Sequence, residues 1–332
     1  MLDQPTESEA RAFIGSLGLR FEPCDELVGL YENGQLVACG ARAEYVLKML
    51  AIAPSHQGSD ALGTLVTRLI LSGLAAGHET LFVFTLPQNV ASFEALNFRM
   101  LATHGTAALL EHGPGLDAYL ASHAGQITPG RNGAIVLNGN PFTLGHRHLV
   151  ELAAGQVDHL FLFVVSEDCS VFPFAVRFRL AVAATAHLSR VTVLETSRYS
   201  VSAGTFPSYF LKRLDEASVA QMNIDLQLFA RRIAPAFHIA TRFVGQEPLC
   251  PTTAAYNRTM AEVFSGSAIQ MVEVPRLEAG GAPVSASRVR AALKAGEVGT
   301  LETLVPPSTL DFLRSPAAQT IIESLRTPLK GA

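Results

Sequence analysis

Hydroxyl, imidazole and amide side chains cluster where an apolar run gives way to an amphipathic one, in AIVLNGNPFTLGHRHLVELAA. The pattern predicts a buried strand, a tight turn and a helix that begins near Thr143. The first turn of a helix exposes unpaired N–H groups and the positive end of the helix dipole, which bind anions. Parallel sheets bind ligands at such strand-to-helix turns. Thr143, Gly145 and His146 are therefore a candidate phosphate site, with Asn138 and Asn140 in the preceding turn.

A purely structural interpretation of this segment is also open. Asn140 would then cap the helix, and Gly145, which costs about 1 kcal/mol relative to alanine inside a helix, would serve packing instead of a ligand. His146 and His148 also suggest a metal pair, but residues two apart on a helix point to different sides. We therefore expect no metal site built from protein ligands.

A second candidate phosphate site lies near the other end of the chain, in PVSASRVRAALKAG. Ser285 or Ser287 can cap the helix that follows. Arg288 and Arg290 then fall in its first turn, where a cation opposes the helix dipole by about 0.3–1 kcal/mol. Cations in this position are favoured when an anion binds there too. The alternative is an ordinary capped helix with solvated arginines.

Both segments resemble motifs of the nucleotidyltransferase superfamily. TLGH resembles the TxGH form of the HxGH motif, and VSASRVR resembles the ISSTxxR motif. The resemblance implies that His146 and Thr143 contact the ATP phosphates where a nucleophile attacks Pα. It also implies that Ser285, Ser287 and Arg290 hold the β- and γ-phosphates. Two motifs in this order favour adenylyl transfer over a domain that only senses a ligand.

Five further residues are assigned to the ATP site, with alternatives. The resemblance implies that polar turn residues face the attacking group, a role for Asn138 and Asn140. Arg177, in FAVRFRL, either reaches a phosphate or extends from a half-buried helix. Arg242 and Glu247 either form an ion pair near a strand end or contact adenosine.

The order of the apolar runs predicts an α/β fold. Strand candidates AIVL, HLFLFVV, VTVLE, HIATRFV and IQMVEV alternate with helical stretches after Gly133. Continuous apolar runs are typical of strands buried on both faces, which predicts a doubly wound parallel sheet. We expect a Rossmann-like, HxGH-type nucleotidyltransferase domain over residues 126–332, with a helical tail after Pro306. A smaller α+β domain over residues 1–125 precedes it.

Several longer sequence segments indicate one family within this superfamily. NPFTLGHRHLVE, FPFAVRFRL, TFPSYFLKRLDE, RFVGQEPLCPTTAAYN and VEVPRLEAGGAPVSASRVRAAL resemble citrate lyase ligases in type and order. Gln246 departs from that pattern, which usually has Glu, and Tyr209 in TFPSYF is predicted to lie in a core. The resemblance implies acetylation of the thiol of the citrate lyase acyl carrier subunit, on its phosphoribosyl-dephospho-CoA group. The substrates would be ATP, with Mg²⁺, and acetate; acetyl-AMP would be the intermediate.

The N-terminal segment AIAPSHQGSDALGTLVTRLI resembles the acetyl-CoA signature of GNAT acetyltransferases. Gln57, Gly58 and Gly63 fit its glycine-rich turn, whereas Asp60 and Asn97 stand where glycines are usual. We expect a GNAT-like fold without independent acetyl transfer. The domain then either holds the pantetheine arm of the carrier group or acts as a scaffold.

Composition excludes several other classes of function. A formal net charge of -4 with 16% charged residues favours neither a nucleic acid nor an anionic membrane as partner. The N-terminus lacks the pattern of a signal peptide, and four scattered cysteines favour buried thiols in the cytoplasm. The competing activity is an ordinary adenylyltransferase that joins ATP to a phosphorylated acceptor.

Overall fold

The computed structural model describes residues 1–206, 215–248 and 250–326. The chain forms two compact units, Met1–Ser122 and His123–Ala332. Tyr209 lies outside the described residues, so its predicted place in a core stays a prediction. In the part of the chain that is described, no helix combines the length and apolarity needed to span a membrane.

The N-terminal unit is built on a seven-stranded mixed sheet in the order β1-β2-β3-β4-β5-β7-β6. Neighbouring strands are antiparallel except β4 and β5, which run parallel. The strands are β1 (Leu2–Asp3), β2 (Glu26–Glu32), β3 (Gln35–Ala43), β4 (Val46–Ile52), β5 (Leu81–Thr85), β6 (Phe98–His104) and β7 (Ala107–His112). The helices are α1 (Glu7–Ser16), α2 (Ala61–Ala75), α3 (Val90–Glu94) and α4 (Gly115–His123).

Two turns of this unit depend on left-handed backbone conformations. Asn33 and Gly34, with φ of 51° and 78°, join β2 to β3, as the Asn-Gly signal predicts for a primed hairpin turn. Asn97 has a φ of 64°. Asparagine is among the few residues that tolerate this conformation, so it can replace the usual glycine here.

The C-terminal unit contains a five-stranded, wholly parallel sheet in the order β10-β9-β8-β11-β12. Its strands are β8 (Asn132–Leu137), β9 (His159–Val164), β10 (Val191–Glu195), β11 (Ile239–Gly245) and β12 (Gln270–Val274). Each coincides with one of the apolar runs, and the predicted α/β class is confirmed. A short hairpin follows, formed by β13 (Glu278–Ala279) and β14 (Ala282–Pro283).

Helices cover the parallel sheet because its strands are apolar on both faces. One core packs Ile135, Leu162 and Phe243 against Val150, Leu180 and other residues of the helices. Beside the single turn Ala234–Ala236, the described α-helices of this unit are α5 (Leu144–Ala154), α6 (Phe174–Thr185), α7 (Glu216–Leu228), α8 (Pro251–Ser265), α9 (Ala286–Ala295), α10 (Pro307–Arg314) and α11 (Gln319–Arg326). The last two lie after Pro306.

Candidate active site

A pocket of about 570 Å³ opens at the carboxyl ends of β8, β9, β11 and β12. Parallel α/β sheets characteristically bind ligands at this edge. Every residue assigned to the site from sequence lines the pocket except Arg177; the ten are Asn138, Asn140, Thr143, Gly145, His146, Arg242, Glu247, Ser285, Ser287 and Arg290. Two segments separated by about 140 residues in sequence therefore meet at one cavity.

The start of α5 is fixed by a reciprocal cap between Thr143 and His146. The Thr143 hydroxyl accepts from the His146 backbone N–H at 3.3 Å, and the Thr143 backbone N–H donates to Nδ1 of His146 at 3.0 Å. Thr143 is the N-cap residue, so the alternative in which Asn140 caps the helix is wrong. A histidine here takes the place of the glutamate of an ordinary capping box.

This cap also decides the protonation state of His146. Burial, with a smaller contribution from the nearby charge of Arg276, lowers the pKa of His146 to about 4, so the ring is neutral at physiological pH. Nδ1 accepts from a backbone N–H and therefore carries no proton. The proton lies on Nε2, which makes that nitrogen the hydrogen-bond donor of a neutral ring on the pocket wall.

The second helix at the pocket, α9, begins at Ser285. Its hydroxyl accepts from the Arg288 backbone N–H at 3.2 Å, so Ser285, and not Ser287, is the N-cap. The Arg288 side chain turns to the preceding hairpin and donates to the carbonyls of Ala279, Ala282 and Pro283. Arg288 therefore holds the hairpin, whereas Ser287 and Arg290 line the pocket.

Two close contacts join the two helix starts. A Cβ on Gly145 would lie 2.8 Å from the carbonyl oxygen of Val284, so only glycine permits this approach. Arg290 donates to the carbonyl of Asn140 at 2.5 Å and to the Ser287 hydroxyl at 3.1 Å. Packing between the motifs thus explains Gly145 without a ligand, as the structural interpretation proposed.

The turn asparagines are engaged with the loop after β9. The amide nitrogen of Asn138 donates to the Ser170 hydroxyl at 2.9 Å. The side-chain oxygen of Asn140 accepts from the Phe172 backbone N–H at 3.0 Å. Both asparagines line the pocket, but these bonds show that they also fix the loop over residues 166–172.

Arg177 lies behind this turn instead of in the pocket. The residue is 0% exposed and donates to four backbone carbonyls, at distances of 2.6–3.0 Å: Asn138, Val165, Glu167 and Phe172. Its donors are consumed by the loops that follow β8 and β9. The sequence-based assignment of Arg177 to ATP therefore gives way to a positioning role.

Arg242 has the same burial and none of this bonding. It is 2% exposed, and its guanidinium carbon lies 4.4 Å from the centre of the Phe229 ring. Among the described residues, Nε and Nη1 of Arg242 have no hydrogen-bond partner. Burial lowers the pKa of Arg242 to about 10, so the group stays charged at neutral pH.

The predicted ion pair of Arg242 with Glu247 is wrong. Glu247 instead pairs with Arg276, which follows β12 and also donates to the carbonyl of Gln246 at 2.5 Å. Glu247 is the one carboxylate among the described residues of the pocket wall. No group of three or more metal-ligating side chains occurs in the described chain.

The profile of the citrate lyase ligase C-terminal domain matches residues 132–313, which contain both helix starts and all four strands of the pocket edge. A [citrate [pro-3S]-lyase] ligase of Klebsiella pneumoniae is 43% identical over 319 residues, 94% of this chain and 93% of that protein. The chain belongs to the citrate lyase ligase family.

Solved structures give weaker likenesses. TmcAL of Thermotoga maritima, bound with alpha-thio ATP, aligns at 13% identity with a TM-score of 0.39, covering 55% of each chain. An acyl-CoA N-acyltransferase described as putative, from Klebsiella pneumoniae, aligns at 18% identity with a TM-score of 0.28, covering 34% of this chain and 94% of that one. Membership of the citrate lyase ligase family rests on the sequence relatives.

The pocket of this ligase family member contains residues that the sequence did not single out. Arg276 lies two residues after the end of the parallel strand β12, a position that could have marked it. Tyr256 lines the pocket and donates to the buried Asp225 behind it at 2.6 Å. A lone aspartate in a helical stretch carries no signal of burial, so sequence alone could not have found it.

Proposed function

We propose that this chain activates citrate lyase by acetylating the thiol on its acyl carrier subunit, at the expense of ATP. Acetate attacks Pα of ATP, pyrophosphate leaves, and the carrier thiol then displaces AMP from acetyl-AMP. The observation that carries this proposal is the joining of two capped helix starts, α5 and α9, on one pocket wall in a member of this ligase family.

The positive helix ends suit a triphosphate because their free N–H groups and dipoles attract anions. Arg290 adds a fixed charge between the helix starts, with Ser285 and Ser287 beside it. His146 presents a neutral Nε2–H, which can donate to a phosphoryl oxygen without needing protonation. These groups stabilise negative charge that develops on the phosphates, and catalysis is mainly by positioning.

We expect Mg²⁺ to bind together with ATP and not at a site built by the protein alone. Mg²⁺ is usually held by substrate phosphates and waters with one or two carboxylates. Glu247, the carboxylate on the described pocket wall, is already paired with Arg276. When bound, the ion would neutralise phosphate charge.

The acceptor is the thiol of the carrier's phosphoribosyl-dephospho-CoA group, as the resemblance implies. The four cysteines of the chain, all of them described, form no disulfide, which fits the proposed cytoplasmic location; only Cys39 is buried, so the expectation of buried thiols is wrong for the other three. Cys169 and Cys250 line the pocket, but the proposed route needs no acyl-enzyme, because the carrier supplies the nucleophile.

Pyrophosphate release with ATP and Mg²⁺, with and without acetate and deacetylated citrate lyase, tests the proposal. We expect release that requires acetate, with AMP and reactivated lyase as further products. Release that ignores acetate but requires a phosphorylated acceptor would instead establish an ordinary adenylyltransferase.

A further inference from the structure

Arg242 stands out on the pocket wall as a buried cation with unused donors. Nε and Nη1 lack partners among the described residues, while the residue as a whole lines the cavity. A buried donor without a partner is strongly disfavoured, and native proteins satisfy most such groups. A ligand that accepts hydrogen bonds is the expected partner, and the positive charge selects an anion.

Asp225, a buried acid whose charge would act on Arg242, is not the partner of these donors. Its carboxylate accepts from the Val201 backbone N–H at 2.7 Å and from the Tyr256 hydroxyl at 2.6 Å. No ion pair within 4.0 Å links Arg242 to a carboxylate of the described residues. Asp225 is therefore bonded to partners of its own and leaves the donors of Arg242 free.

Apart from Tyr256, whose hydroxyl is donated to Asp225, the wall near Arg242 includes apolar side chains. Arg242 pairs with Ala134 across β8 and β11, so Val136, two residues further along β8, lies on the same face of the sheet. Val136, Val201 and Met260 also line the pocket. One cation against a small apolar surface is complementary to a short carboxylic acid.

We propose that Arg242 binds the carboxylate of the acid that is adenylated, with Val136, Val201 and Met260 against its alkyl group. The inference rests on the proposed function and locates its acid subsite. Because the helix starts are proposed to bind the phosphates of ATP, Arg242 is available to bind the second substrate, the acid. Its sequence-based assignment to ATP is replaced accordingly.

The chemistry at this subsite balances without a proton transfer. One carboxylate oxygen forms the bond to Pα while the other accepts from Arg242. The bond from Pα to the bridging oxygen breaks, and pyrophosphate leaves with the electron pair. Because Arg242 contacts the acid before reaction, its loss raises the KM for the acid more than it lowers kcat.

Acetate-dependent exchange of labelled pyrophosphate into ATP, in the full-length protein, measures this step alone. For Arg242→Gln we expect the KM for acetate to rise about 10- to 100-fold, the effect of losing hydrogen bonds to a charged group, with the KM for ATP unchanged. Arg242→Lys, which keeps the charge, should show a smaller rise. Arg179→Gln, an exposed arginine on α6, is the matched control.

The outcomes separate the two proposals. A raised KM for ATP, or an unchanged KM for acetate, in folded Arg242→Gln would overturn the acid subsite. Absence of acetate-dependent exchange in the unaltered protein would overturn the proposed function itself. If Arg242→Gln fails to fold, Val136→Ala decides: a wider subsite should raise the ratio of kcat/KM for propionate to that for acetate, and an unchanged ratio contradicts the assignment.

Discussion

Arg177 and Arg242 are two buried arginines of the C-terminal unit that differ in their hydrogen bonds. Arg177 gives its hydrogen bonds to four carbonyls in the loops after β8 and β9. Arg242 faces an aromatic ring and leaves two nitrogens without a partner in the described chain. Sequence context and burial do not distinguish them. Their hydrogen bonds do distinguish them. The donors of Arg177 are used within the protein and hold the loops of the site, whereas the two unpartnered nitrogens of Arg242 are left to bind a ligand.

The largest expected effect is a difference in stability between these two arginines. Arg177→Gln leaves buried carbonyls without donors, so we expect the free energy of unfolding to fall by about 3–5 kcal/mol. Arg242→Gln removes a buried charge that makes no hydrogen bonds, and we expect a loss within about 1 kcal/mol. Urea denaturation of both variants measures the difference. Equal losses in the free energy of unfolding would show that the two arginines do not differ in their contribution to stability.

His146 combines both roles, because Nδ1 is bonded within the protein and Nε2 is left for the ligand. We expect His146→Ala to lower kcat for pyrophosphate release about 10²- to 10³-fold, as for loss of one preorganised donor. His146→Asn keeps a polar side chain and tests how much of the loss comes from the cap. A rate in His146→Ala within a few-fold of the unaltered protein would remove His146 from the catalytic site.

The half-buried neutral ring of His146 also predicts how stability depends on pH. Its pKa is about 4 in the folded chain and about 6.5 when unfolded. Between these values the unfolded chain binds a proton that the folded chain does not. The free energy of unfolding should therefore fall as pH drops from 6.5 to 4, by up to about 3 kcal/mol. The slope should shrink in His146→Asn; identical slopes would refute the assignment.

The contact between the two helix starts predicts a smaller, local effect. Gly145→Ala places a methyl group against the Val284 carbonyl, so we expect a loss of about 1–2 kcal/mol together with reduced pyrophosphate release. Gly155→Ala, at the other end of α5, meets only ordinary contacts beyond 3.5 Å and is the control. If both variants retain full activity, the close approach does not matter for the site.

The smallest expected effect is that of Arg276→Gln on the pKa of His146. Arg276 is already paired with Glu247. Its charge contributes less than burial to the lowered pKa of His146. Arg276→Gln should therefore raise that pKa by a fraction of a unit only, measurable by NMR titration of the ring. A rise to the ordinary value of about 6.5 would mean that charge, and not burial, keeps the ring neutral.

Local patterns predicted the parts of the fold that depend on local physics. Five apolar runs gave the five strands of the parallel sheet, because strands buried on both faces must be apolar throughout. TLGH and VSASRVR located both helix starts, because caps follow residue type at fixed offsets. The Asn-Gly turn followed for the same reason.

Contacts between distant residues could not be predicted in this way. The partners of Arg177 lie 5–39 residues away, and Arg276 meets Glu247 across 29 residues. Whether a guanidinium finds carbonyls, a carboxylate or nothing depends on the packed structure. The wrong Arg242–Glu247 pair came from their closeness in sequence. Glu247 lies two residues beyond the carboxyl end of β11, where it meets Arg276 instead of Arg242.

The meeting of Gly145 with Val284 and of Asn140 with Arg290 has a consequence for protein synthesis. Because the N-terminal half of the nucleotide pocket needs a partner made about 140 residues later, a ribosome at roughly 5–20 residues per second leaves it incomplete for on the order of ten seconds. Closing so long a loop is also entropically slow. The nascent chain therefore cannot consume ATP before its carboxyl-terminal helices have emerged.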